Sequence, residues 1–162
     1  MMTATKVGKS TIEILNETSL LVTRRFQAPR SMVFQAMTVP DLLRQWMLGP
    51  DGWTMEACEI DLRPGGNFRF YWTNPDGREL QMTGSYLTVD PPNSFSSTRR
   101  FDLGFLSPEE KMHCVLAEDG DATLMRAELV YESQAIRDQA LLSGMTKGME
   151  SSYERIDQML KR

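Results

Sequence analysis

From Ser133 to Lys161 the chain carries no proline, and its apolar residues recur at helical spacing. At roughly 100° per residue, Leu142, Met145, Met149, Tyr153, Ile156 and Leu160 form one stripe. Ser133 suits the N-cap of such a helix. Most of what precedes it alternates with a period of two and is cut by turns. A sheet of such strands must bury one face, and this helix is the only partner large enough to cover it. The chain therefore reads as an α+β fold. A curved antiparallel sheet of about six or seven strands wraps around a long C-terminal helix spanning about Ser133 to Leu160.

The strands follow from residue alternation. Leu20, Val22, Arg24 and Phe26 share one parity, before Ala28-Pro29 ends the run. Val33, Phe34 and Met37 fit a short helix that opens near Pro29. Val39-Pro40-Asp41 breaks it and starts a second, with Leu42, Leu43 and Trp46 on its buried side. Beyond the Gly49-Pro50-Asp51-Gly52 loop come strands over Met55–Leu62, Phe68–Trp72, Glu79–Val89, Phe95–Phe101, Met112–Glu118 and Thr123–Tyr131. Asn74-Pro75-Asp76-Gly77 and Asp119-Gly120-Asp121 are the hairpin turns. Residues 1–16 read as a tail or a first extended segment, and 17–162 as a single domain without repeats or linkers.

Composition excludes several classes. The net charge of -4 and the absence of a basic run argue against nucleic-acid binding. Cys58 and Cys114 are too few for a disulfide framework and read as reduced, partly buried thiols. With His113 as the only histidine, no zinc site is expected, and no cofactor or metal is assigned. No apolar run reaches membrane-spanning length and no leader-like segment opens the chain, so a cytoplasmic location without membrane insertion is expected. Twelve methionines favour a cavity that can reshape around a guest.

A set of ordered signposts points to a family. The segment Thr23-Arg24-Arg25-Phe26-Gln27-Ala28-Pro29-Arg30 is followed by Val33-Phe34, Ala36, Thr38, Pro40, Leu42 and Trp46. Asp61-Leu62-Arg63-Pro64-Gly65-Gly66, Asp76-Gly77, Gly84-Ser85-Tyr86, Val89-Asp90-Pro91-Pro92, Gly144-Met145 and Gly148-Met149 continue the series. Over roughly residues 18 to 160 the chain resembles the START-like (SRPBCC, Bet v 1-like) superfamily. The branch is the one named after the activator of the 90-kDa heat-shock protein (Hsp) ATPase. The resemblance implies a helix-grip fold and a cavity that commonly holds hydrophobic molecules. It implies no single activity, because members include carriers, polyketide cyclases and aromatases, and co-chaperone domains.

Strand parity nominates the wall of that cavity. Phe70 and Trp72, Met82 and Tyr86, and Phe101 take inward registers, facing Leu142, Met145 and Met149 on the helix. Trp46 and Trp53 bracket the Gly49–Gly52 loop and either anchor it or roof the entrance. Arg99 on its strand and Asp138 on the helix stripe are charged residues in inward positions. They are expected to pair with each other or with other side chains at the cavity mouth, or to orient the polar end of a guest.

No catalytic residue is assigned. His113 opposes Met112 and Cys114 in register, so it should face solvent, and neighbouring strand positions cannot form a Cys–His dyad. Glu59 and Asp61 share a face, while Glu56 does not, and an exposed strand end accounts for them. Arg63-Pro64-Gly65-Gly66 lacks the Lys-Ser/Thr ending of a phosphate loop and reads as a sharp turn. The leading expectation is a module binding a small hydrophobic or amphiphilic molecule. A cyclase- or aromatase-like enzyme using the same cavity, and a co-chaperone-like interaction module, stand as alternatives. A homodimer and a chaperone partner stay open.

Overall fold

Burial alternates along the strands as their sequences dictate. In β5 (Asn67–Thr73), Phe68, Phe70 and Trp72 are buried while Asn67, Arg69 and Tyr71 turn to the other face. The structure, a computed structural model, describes residues 4–102 and 104–161. These residues form nine strands and four helices. The strands are β1 (Ala4–Val7), β2 (Ser10–Ile14), β3 (Ser19–Phe26), β4 (Thr54–Ile60), β5, β6 (Glu79–Asp90), β7 (Ser94–Asp102), β8 (Glu110–Asp119) and β9 (Ala122–Val130). The helices are α1 (Arg30–Thr38), α2 (Pro40–Trp46), α3 (Gln134–Leu142) and α4 (Met145–Leu160).

All nine strands join one antiparallel sheet in the order β1-β2-β3-β9-β8-β7-β6-β5-β4. The count exceeds the expected six or seven because residues 4–14 fold into a hairpin on β3, pairing Ile12 with Val22. The first three residues of the expected tail lie outside the described residues. Bulges between Met55 and Ala57 and between Tyr86 and Thr88 shift the register of β4 and β6. Such bulges bend a sheet and increase its twist. The Arg63–Gly66 turn links β4 to β5. A Cβ on Gly66 would lie 2.0 Å from the Asp61 carbonyl oxygen, so only glycine fits there.

The C-terminal helix departs from expectation. It is broken at Ser143-Gly144, where Gly144 takes a left-handed φ of 83°. Ser143 Oγ donates to the Ala140 carbonyl at 2.7 Å and accepts from Met145 N–H at 3.3 Å, satisfying backbone groups that a continuous helix would use. Ser133 caps α3 by accepting from the Ile136 N–H. The break resets the helical phase, so Leu142 leaves the stripe and is 87% exposed. Of the two helices, α4 alone lines the cavity, while Ile136, Ala140 and Leu141 of α3 pack against the core. Tyr153 of α4 packs edge-on against Phe26 of β3 at 5.7 Å and beside Trp46 of α2 at 6.2 Å, and Ile156 is fully buried.

α4 is tied down by charge at Glu150 and Asp157. Arg24 of β3, with a fully buried side chain, gives Nε and Nη2 to Glu150, each at 3.1 Å, and Nη1 to Asp157 at 2.7 Å. Glu150 also accepts from the Ser10 hydroxyl at 2.5 Å and the Lys9 N–H at 2.9 Å. This cluster joins the β1–β2 turn, β3 and α4. Burial alone would push the Glu150 carboxyl up, but the bonds from Arg24, Ser10 and Lys9 outweigh it and hold it below its ordinary value. Among the described residues no helix is long and apolar enough to cross a membrane.

Candidate functional site

Between the concave sheet face and α4 lies a cavity of about 340 Å³. That places it at the small end of the usual range of ligand sites, roughly 300–1,000 Å³. Its floor is β5 to β9, contributing among others Phe68, Phe70, Trp72, Leu80, Met82, Tyr86, Phe95, Phe101, Met112 and Met125. Its roof is α4, through Met145, Gly148, Met149, Ser152 and Tyr153. One side is closed by Trp46 of α2, the Met47–Pro50 segment and Trp53. That segment is pinned to α4, because Gly49 N–H donates to Ser152 Oγ at 3.0 Å.

The wall is apolar because its amphipathic side chains have spent their polar atoms elsewhere. Trp72 Nε1 donates to the Met47 carbonyl and Trp46 Nε1 to the Ala36 carbonyl, both at 2.7 Å. Phe68 packs against Phe70 and Tyr86 at 5.2 Å each, giving a continuous aromatic face. Among the described residues, seven of the chain's twelve methionines line the cavity: Met37, Met47, Met82, Met112, Met125, Met145 and Met149. Their unbranched thioethers can shift rotamer around guests of different outline.

The charged feature of the wall is a pair. Arg99 of β7 gives Nε to Glu110 of β8, the residue directly across the ladder, and Nη1 to Met112 Sδ at 3.8 Å. Burial opposes the Arg99 charge, yet the adjacent carboxylate more than compensates and raises its pKa further. Tyr131 stands behind the pair, its hydroxyl 3.5 Å from Met145 Sδ. Burial and the Glu110 charge push the Tyr131 phenol upward. Burial does the same to Tyr86 and Tyr153, so these phenols stay neutral.

Of the residues nominated from sequence, Trp46, Phe70, Trp72, Met82, Tyr86, Arg99, Phe101, Met145 and Met149 lie on the cavity wall. Leu142 does not, for the phase reason given above. Asp138 does not either: it accepts from its neighbour Arg137, at 2.8 Å from Nη2 and 3.1 Å from Nε, on a half-exposed part of α3. Arg99 therefore pairs with Glu110 and not with Asp138. Glu110 is missing from the nominated set because the apolar alternation of its strand begins only at Met112. Beginning β8 two residues earlier puts Glu110 in the same inward parity as Met112 and Cys114. Arg24 carried the same signal, standing in register with Leu20, Val22 and Phe26.

Trp46 and Trp53 both border the cavity, on the side closed by the Met47–Pro50 segment. His113 is exposed on the opposite sheet face. Cys58 and Cys114 are buried free thiols. Burial pushes Cys58 up to about 11 and Cys114 up to about 12, so neither is a thiolate at neutral pH. Glu59 and Asp61 form exposed pairs with Arg69 and Arg63. Among the described residues no three His, Cys, Asp or Glu side chains are grouped to hold a metal.

A family model described as "Activator of Hsp90 ATPase homolog 1-like protein" matches residues 27–161. No curated protein matches the chain. Among solved structures, a protein from Rhodobacter sphaeroides is 27% identical, with 99% of this chain and 98% of that one covered and a TM-score of 0.84. A Mycobacterium smegmatis protein is also 27% identical, over 98% of each chain, with a TM-score of 0.81. A protein from Nitrosomonas europaea shares the fold at 23% identity, covering 91% of this chain and 97% of that one, with a TM-score of 0.80.

Proposed function

Because the chain belongs to the family of activator of Hsp90 ATPase homolog 1-like proteins, we propose that it uses the family's sheet-and-helix grip to bind a small hydrophobic or amphiphilic molecule. The supporting observation is the cavity itself: about 340 Å³ of space walled by aromatic rings and methionines. A core serving only stability would close such a space, since interiors pack to near-crystalline density. The cavity wall also lacks a histidine and an ionisable thiol among the described residues, which favours holding a guest over turning it over.

The test is titration with an uncharged fluorescent probe, N-phenyl-1-naphthylamine, while following the emission of the cavity tryptophans Trp46, Trp53 and Trp72. Binding should be saturable and should quench or shift that emission. Met145→Trp, which fills space at the α4 end of the cavity, should abolish probe binding while the far-ultraviolet spectrum is retained. A wild type that never binds the probe overturns the proposal.

A second reading has its own support in Phe105 and Leu106, which are 68% and 63% exposed on the β7–β8 connection. Large exposed apolar side chains mark contact surfaces when they cluster. In that reading the chain is a co-chaperone-like interaction module. Stimulation of a purified 90-kDa heat-shock chaperone's ATPase, lost on replacing Phe105 and Leu106 by Ser, would favour it over the ligand module.

A further inference from the structure

We propose that the cavity selects uncharged guests bearing a hydroxyl, amide or carbonyl group and rejects carboxylates of the same shape, an inference that rests on the cavity being a ligand site. Among the described residues, Arg99 and Glu110 are the only charged side chains on its wall, and they are paired with each other. Their charges sum to zero. The remaining polar groups there, such as the Ser97 hydroxyl and the Tyr86 and Tyr153 phenols, are neutral.

An incoming carboxylate would find Arg99 already neutralised by Glu110. Its attraction to the guanidinium would be offset by repulsion from the carboxylate beside it. The cost of stripping water from an anion in an apolar space would stay uncompensated. A neutral oxygen meets no such repulsion. It can also take over the Arg99 Nη1–H, which now rests on the Met112 thioether at 3.8 Å. Sulfur is a weak acceptor, so the exchange favours the guest. The pair thus supplies a hydrogen-bond donor and an acceptor without a net field, and Glu110 acts as the element that excludes anions.

Three guests separate the possibilities: naphthalene, 2-naphthamide and 2-naphthoate, titrated by calorimetry near neutral pH. The amide and the carboxylate share size and shape and differ in charge. The amide should bind more tightly than naphthalene, and the carboxylate about tenfold or more weakly than the amide. Glu110→Gln, which leaves Arg99 uncompensated, should raise the carboxylate-to-amide affinity ratio by about tenfold. The wild-type series stands by itself if that variant fails to fold. Naphthoate binding as well as naphthamide, with naphthalene also bound, overturns the selectivity and leaves the cavity reading intact. Binding of none of the three overturns both.

Discussion

Arg24–Glu150 and Arg99–Glu110 are the same chemical pair in two settings. The first sits where β3, the β1–β2 turn and the first half of α4 converge, with both carboxylate oxygens of Glu150 engaged by Arg24, Ser10 or Lys9. The second spans adjacent strands and borders the cavity, with about a tenth of each side chain exposed. A buried pair closed on all sides acts as a rivet, because removing one partner strands the other in a place water cannot reach. A pair that opens on a cavity can be rehydrated or can meet a guest. Identical residue types therefore tie β3 to α4 in one place and border the cavity in the other.

Breaking each pair tests that contrast. Arg24→Ala should cost the most, roughly 3–5 kcal/mol, by leaving Glu150 buried without its cation. Arg99→Ala should cost about 1–2 kcal/mol, since Glu110 can recover solvent through the cavity. Urea unfolding of both variants decides the matter, and equal losses would remove the distinction. The rivet should also be acid-sensitive. The folded Glu150 carboxyl lies below its ordinary 4.5, so its contribution is present above that value and is lost as pH falls through the folded value. The stability gap between wild type and Glu150→Gln should therefore be constant near neutrality and narrow below 4.5. A gap that keeps its size down to about pH 3 would show that the carboxyl is not held ionised. The smallest effect is expected at His113, on the outer face. His113→Ala should stay within about 0.5 kcal/mol of wild type and leave probe affinity in place. Loss of probe binding in that variant would contradict the strand parity on which the cavity assignment rests.

Much of this architecture was legible from residue order. Period-two alternation assigned Phe70, Trp72, Met82, Tyr86 and Phe101 to the inner face, and all of them line the cavity. Alternation is local physics: a pleated strand sends successive side chains to opposite faces whatever else the chain does. The helix break was less legible. Ser143-Gly144 lies inside a stripe that continues in sequence, and a lone glycine in a helical pattern is often tolerated. The two extra strands, β1 and β2, are short and carry little alternation, and β2 gains its place only from the edge that β3 offers.

By itself the sequence determined the run from β3 through β9 with the two short helices between, the side of the sheet that faces α4, and the family to which the chain belongs. Charge partnership was decided only by the tertiary structure. Parity could place Arg24 and Arg99 indoors, yet it could not say who met them. Glu150 reaches Arg24 across 126 positions, while Asp138, on the same C-terminal segment as Glu150, pairs with Arg137 instead of Arg99. A buried charge must be compensated, and which carboxylate arrives depends on the phase of α3 and α4 after the break at Gly144. That phase is set by backbone hydrogen bonds and packing, which a one-dimensional pattern does not carry.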